Sequence, residues 1–249
     1  MRYFSFIEYN GRNYSGFQKQ KNSNSIQEEI EKAFKKLLKL EIKIYIGSRT
    51  DSGVHAYKNC FHFDINFDID KENIKKGLNK ILPSDISILE IKKVKNNANA
   101  RFSAKIRKYN YIILKKKSAF NIGYTYSKFD ILNIDKMNEV TTSLLGDKSF
   151  KTFSKTNKNE IHDYKCIIYK ASFIKKKDKI IFEIEGNRFT HNMIRCLVFN
   201  IIQVGINKMS IEEFLSNMDK KNKKYKNGIL PACGLILVDI KYNRNIFIK

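Results

Sequence analysis

Tryptophan is absent from this 249-residue chain, and proline occurs only twice. No run of eighteen apolar residues occurs, which excludes a transmembrane helix. Cysteine is sparse and scattered: Cys60, Cys166, Cys196 and Cys233 make no C-x-x-C, and His55, His62, His162 and His191 make no H-E-x-x-H. That spacing argues against a zinc site and against a disulfide framework. Scattered thiols read as small buried apolar residues in a reducing, cytoplasmic setting. Residues 1–8 carry Arg2 inside the first apolar stretch and read as a strand, not a secretory signal. Acidic residues are also in deficit, with 25 Asp and Glu against 48 Lys and Arg.

What is present begins with that imbalance, a formal charge of +23. A charge of this size suggests a polyanionic partner, either nucleic acid or an anionic membrane surface. A blander cause competes with it. Forty of the basic residues are Lys and only eight are Arg, and Asn and Ile are abundant, as codon drift in an AT-rich genome would produce. Charge therefore opens the question of function without answering it. With 42% hydrophobic residues the chain can bury a real core, in one or two domains.

Hydrophobic periodicity divides the chain into mixed strands and helices. Residues 3–9 alternate as a strand, and a turn-rich stretch, Asn10 to Gly16, follows. Ser25-Ile26-Gln27-Glu28 is a capping box opening a helix whose stripe is Ile26, Ile30, Ala33, Phe34, Leu37 and Leu38. Ile42, Ile44 and Ile46 alternate as a strand, and another spans about 58–65. Asp70 caps a helix carrying Ile74, Leu78 and Ile81. Residues 86–94, 105–114, 164–174, 179–186 and 234–242 read as further strands. Helices are expected over 134–145 and 188–206, and a short one after Ser210. The lysine runs 115–117 and 175–177 fall where strands should turn, and 220–226 is a third run. They are solvated tips or phosphate contacts. The pattern is α+β. No Pro/Ser linker divides it, so one continuous sheet shared by two similar lobes is expected.

The sharpest local feature is Arg49-Thr50-Asp51, between two strands and flanked by Gly47 and Gly53. Two glycines around a charged tripeptide suit a tight loop aiming a carboxylate into a cleft. Taken alone, the tripeptide reads as an ordinary turn with an exposed Asp. It does not stand alone. Gly-Ser-Arg-Thr-Asp-Ser-Gly-Val-His-Ala at 47–56 closely resembles the A-G-R-T-D-A-G-V-H-A signature of the TruA family of tRNA pseudouridine synthases. Six further segments resemble that family in order. Near the N-terminus these are Tyr9-Asn10-Gly11, Tyr14, Gly16-Phe17-Gln18 and Gln20, then Ser25-Ile26-Gln27. Leu78-Asn79, Leu82-Pro83 and Asp85-Ile86 follow. Arg101-Phe102-Ser103-Ala104 leads to Tyr109 and Tyr111. Phe189, His191, Met193 and Arg195 resemble F-x-H-x-M-V-R, and Gly234 to Leu237 resembles G-L-x-L.

The resemblance implies a pseudouridine synthase-like fold: a mainly antiparallel sheet flanked by helices, with the active site in a cleft between an N-terminal lobe (1–104) and a C-terminal lobe (105–249). It implies a cofactor-free and metal-free isomerase. The enzyme would cut the C1′–N1 bond of a uridine, turn the base and rejoin it through C5, with the nucleotide flipped out of its stack. Asp51 matches the essential aspartate. Its carboxylate could attack C1′, attack the base, or abstract a sugar proton on a glycal path. Arg195, in an otherwise apolar helical run, matches the arginine that pairs with it and keeps it ionised. Tyr109 matches the tyrosine that stacks on the flipped uracil, and Arg49 the arginine that enters the vacated stack. Tyr111, Arg101, Leu235 and Leu237 are further substrate-side candidates, although Tyr111 and the two leucines read equally as core. The resemblance also implies tRNA positions 38, 39 and 40 in the anticodon stem-loop as targets, a homodimer holding one tRNA across both subunits, and no membrane partner.

The match frays in places. Phe17 stands for a Trp, Ser48 for a Gly, and Ala98-Asn99 for F-H. Gly146 to Phe150 lacks the His and Asp of G-x-H-D-F, and Cys196 and Phe199 replace Asn and Gly. These departures bear on RNA positioning rather than on the chemical residues. Two rival functions follow: the same chemistry on other uridines, or a non-catalytic RNA-binding or chaperone protein on the same fold.

Overall fold

The computed structural model describes residues 1–116, 125–126, 132–155, 163–219 and 228–248. Lys117, His162 and the lysine run 220–226 lie outside the described residues. In chain order the elements are β1 (Arg2–Tyr9), α1 (Ile26–Leu38), β2 (Ile44–Ile46), β3 (His55–Asp64), α2 (Lys71–Ile81), β4 (Ile86–Val94), β5 (Ala104–Leu114), β6 (Thr125–Tyr126), α3 (Ile134–Thr142), β7 (Gly146–Ser149), β8 (Lys165–Lys175), β9 (Lys179–Gly186), α4 (Met193–Gly205), α5 (Ile211–Asp219) and β10 (Leu235–Tyr242). The class is α+β, with mostly antiparallel strand pairing. No described helix is long and apolar enough to cross a membrane.

Two compact units divide the chain, 1–107 with 236–249, and 108–235. The first boundary lies three residues past the expected one. The C-terminal segment, which the sequence reading grouped with the second lobe, belongs to the first unit. The reason is visible in its partners. Ile236 and Leu237 pair in parallel with His55 and Ala56 of β3, and Tyr242 and Phe247 pack on Phe4 and Phe6.

In the first unit β1 lies between β3 and β4, antiparallel to both, and β2 pairs with β3. β1 is buried on both faces, so Tyr3 through Ile7 are all inaccessible. One face packs Tyr3 on Phe63, which meets Phe34 of α1. The other face joins Phe4 and Phe6 to Cys60, Val94, Ala98, Ala100 and Ile240. The caps form as the sequence predicts. Ser25 Oγ accepts from Glu28 N, and Asp70 Oδ1 accepts from Glu72 N and Asn73 N. Each cap satisfies backbone donors that the first helical turn leaves unpaired.

In the second unit β9 runs antiparallel to β8, which runs antiparallel to β7, and β6 lies parallel to β5. α4 is apolar almost all round and almost wholly buried. Gly205 lets it approach α3, since a Cβ there would sit 2.6 Å from Met137 Sδ. In the first unit β3 begins at His55, not 58, and in the second β6 has no counterpart in the expected elements. α4 begins at Met193, not 188, because Asn192 takes a left-handed conformation, with φ 64°. α3 ends at Thr142, not 145. β7 pairs with β8 through Gly-Asp-Lys-Ser, a segment with no β-branched or aromatic residue to announce a strand. Residues 176–178 form the exposed turn between Lys175 at the end of β8 and Lys179 at the start of β9, closed by Lys176 N on Lys179 O at 2.8 Å.

Candidate active site

The Asp51 loop, residues 47–54, connects β2 to β3 and is built from backbone contacts outward. Gly47 N donates to Cys60 O at 2.7 Å. No side chain fits at Gly47, because a Cβ would stand 2.7 Å from the Tyr242 hydroxyl and 2.9 Å from Ala100 O. Asn59, fully buried, donates from Nδ2 to Ser48 O (2.8 Å) and to the Tyr9 hydroxyl (3.1 Å). That hydroxyl shares a 2.7 Å hydrogen bond with Thr50 Oγ1. Thr50 O accepts from Phe17 N, and Tyr14 O accepts from Gly53 N and Ser52 Oγ. The serine that departs from the family pattern at position 48 adopts a negative φ, so it introduces no backbone strain.

The N-terminal motif thereby acquires a physical role. Tyr9, Tyr14 and Phe17 hold the loop through the bonds above. Gly11 and Gly16 leave room for its backbone. A Cβ on Gly11 would lie 1.9 Å from Val54 O, and one on Gly16, at φ +101°, would lie 2.7 Å from Thr50 O. Tyr14 is itself held by donating to Asp85 Oδ1 at 2.6 Å. Burial, and then Asp85, push its phenol well above the usual range. The loop thus buries Thr50 and turns Arg49 outward, with Asp51 half-buried between them. Buried hydroxyl and amide partners on both sides leave this backbone little freedom.

A second loop, 98–103, is tied to the first. Asn99 Oδ1 accepts from Arg101 N (2.9 Å) and Phe102 N (3.2 Å). Asn99 N donates to Ser103 Oγ (3.0 Å). Ala100 N donates to Nδ1 of the buried His62, and Ala100 O accepts from the Tyr242 hydroxyl at 2.6 Å. Arg107, buried, donates from Nη2 to Gly47 O (3.1 Å) and Arg101 O (2.7 Å). One guanidinium thereby clips the Arg101 loop to the Asp51 loop. Sequence reasoning missed Arg107. The available signal was its type, an Arg in a chain of forty lysines, at a point where one buried charged group bonds two carbonyls.

The second unit presents the other candidates. Tyr109 is buried on β5, its ring 5.3 Å from Phe189 in an edge-to-face contact. Tyr111, two residues on, is fully buried and donates to Pro231 O at 2.9 Å. Tyr109, Tyr111 and Ile113 share one face of the strand, as alternation predicts. Arg195 sits in the first turn of α4 and is half-buried. Its Nε donates to Leu230 O at 2.7 Å and its Nη1 to Asn192 Oδ1 at 3.3 Å. The left-handed Asn192 therefore both starts the helix and orients the guanidinium. Thr190, just before it, shares a short hydroxyl contact with Ser154. Phe199, a departure from the family pattern, fills the space that Gly228 leaves open. Leu235 and Leu237 are both buried. Arg101 is exposed, with its guanidinium 5.5 Å from the Phe102 ring.

The first unit thus carries a buttressed Arg-Thr-Asp loop, and the second carries a braced tyrosine and an oriented arginine. A family model described as tRNA pseudouridine synthase matches residues 6–103 and 140–243, and the chain belongs to that family. Among curated relatives, the tRNA pseudouridine synthase A of Francisella tularensis subsp. tularensis (strain FSC 198) is 38% identical over 242 residues, covering 96% of this chain and 93% of its own. That of Azobacteroides pseudotrichonymphae is 38% identical, covering 99% of this chain and 98% of its own. That of Bacteroides thetaiotaomicron is 33% identical, covering 99% and 92%.

Proposed function

We propose that this enzyme isomerises uridine to pseudouridine in the anticodon stem-loop of tRNA, at positions 38, 39 and 40. Asp51 is the catalytic carboxylate and nucleophile, and the bond it forms to the nucleotide is broken again before product leaves, which regenerates the carboxylate. The C1′–N1 bond breaks, the uracil turns, and C1′ bonds to C5. The C5 proton then leaves and N1 is protonated, so no oxidant, reductant or cofactor enters. Arg195 is the ion-pair partner that keeps the carboxylate charged. Its bonds to Leu230 O and Asn192 Oδ1 support that role by fixing the fork's direction. Tyr109 stacks on the flipped base, supported by a ring already braced by Phe189. Tyr111, Leu235 and Leu237 supply the apolar side of the base pocket. Arg49, turned outward from a rigid loop, takes the place of the base in the stem, and Arg101 contacts the RNA backbone.

The observation that carries this reading is the mounting of Asp51. The buried Tyr9, Thr50 and Asn59 side chains and three sterically obligatory glycines, Gly11, Gly16 and Gly47, hold one short loop. An ordinary exposed turn needs none of them. A homodimer working in the cytoplasm completes the proposal. It doubles the basic surface offered to a tRNA longer than one such globule. The test is incubation of the unaltered protein with an unmodified tRNA transcript and no added cofactor, followed by site mapping. Pseudouridine at 38–40 is expected. Pseudouridine only elsewhere would keep the chemistry and overturn the assigned sites.

A further inference from the structure

Phe102 is the most exposed large apolar side chain among the described residues, at 78%. Its exposure is not the accident of a loose loop. Asn99 accepts from the backbone N–H of both Arg101 and Phe102, and Ser103 N donates to Asn99 O. Arg107 and Tyr242 anchor the carbonyls of Arg101 and Ala100 on the inner side. The loop is thus built to present a ring to solvent, in fixed relation to the Asp51 loop. Its surroundings are polar and basic. Arg101 lies against the ring and Lys105 is exposed just beyond it. A protein-binding face would offer a contiguous apolar patch, whereas a lone ring flanked by cations is the pattern that stacks nucleobases beside phosphates.

Resting on the tRNA reading above, we infer that Phe102 stacks on an unpaired nucleobase of the bound tRNA, with Arg101 neutralising the adjoining phosphate. The ring binds substrate without entering the reaction, so its loss weakens affinity and leaves turnover at saturating tRNA intact. The absence of tryptophan from the chain provides a direct probe. Phe102→Trp introduces a single indole whose emission reports stacking. Titration of that variant with tRNA should quench the emission. Phe102→Ala and Phe102→Leu should raise Kd and KM by roughly tenfold, in keeping with the loss of one base–aromatic stack. kcat should stay near the unaltered value, and Phe102→Trp should restore affinity. Leu separates loss of the π-face from loss of bulk, and thermal melts check that the exposed position leaves folding alone.

Emission unchanged by saturating tRNA, or an alanine variant binding within twofold of the unaltered protein, overturns the inference. So does an alanine variant that falls to a smaller species in sedimentation, which would make the ring a subunit contact. Binding and emission are read without turnover. A protein that quenches on tRNA but forms no pseudouridine would keep this inference and sink the catalytic reading instead.

Discussion

Acidification should release the Arg101 loop through one buried imidazole. His62 is almost fully inaccessible, stacks on Tyr45, and accepts from Ala100 N at Nδ1 (3.2 Å). Burial, and then the Arg2 guanidinium, push its pKa down to about 4, while Asp64 opposes them. The unfolded chain takes up a proton near the ordinary value of 6.5 and the folded protein does not. The resulting stability is complete above about pH 6.5 and is lost as pH falls through the folded value near 4. Its size is about 3 kcal/mol, the cost of keeping neutral a group that would otherwise charge. Asp64 and Asp68, whose carboxyls are held low by Arg2 and Tyr3 respectively, add their own loss from about pH 5 downward. Urea unfolding as pH falls from about 6.5 should show the loss in the unaltered protein. His62→Asn offers Ala100 N an acceptor and cannot titrate. Its stability should lack the slope between about pH 6.5 and 5. An unaltered slope in that variant would refute the assignment.

Three further outcomes follow from the loop's construction and the charge. Tyr9→Phe leaves Thr50 Oγ1 and Asn59 Nδ2 each short of a buried partner, so denaturation should show a loss of about 1–3 kcal/mol. Retention of full stability would mean water replaces the hydroxyl. Gly16→Ala demands an unfavourable φ and meets Thr50 O, so stability should fall by about 1–3 kcal/mol and kcat should drop as Asp51 is displaced. Unchanged kcat would uncouple that glycine from the site. Replacing Lys175, Lys176 and Lys177 with serine should flatten the salt dependence of tRNA affinity by about 0.7–0.9 per lysine that touches phosphate. An unchanged slope would mark the tip as a bystander.

The elements that could be read from the sequence were those with local signals. α1 and α2 start after their capping residues because Ser25 and Asp70 bond donors two or three positions away. β9 matches its expected span, since the buried Ile180, Phe182 and Ile184 alternate with the half-buried Ile181, Glu183 and Glu185. β7 was invisible because its strand character comes from pairing with β8 and not from its own residues. The start of α4 was misplaced because a left-handed Asn leaves no mark in hydrophobic periodicity. The site divides in the same way. Asp51, Arg49, Tyr109 and Arg195 stood in recognisable strings. The bonds joining Tyr9 to Thr50 and Arg107 to Gly47 span forty residues or more, and no local pattern encodes them. The +23 charge is also sharper than it was. Two of the eight arginines serve named structural tasks, Arg107 on β5 as a clip between two loops and Arg2 on β1 in the pair with Asp64 of β3. The lysines form a general basic field.

In the proposed mechanism the Asp51 carboxylate is indispensable to the chemistry, while RNA affinity resides elsewhere on the protein. The most direct test is Asp51→Ala, assayed on an unmodified tRNA transcript for both pseudouridine formation and affinity. No pseudouridine should form, with Kd within about tenfold of the unaltered protein, roughly 1.4 kcal/mol. Pseudouridine formed by that variant would contradict the account.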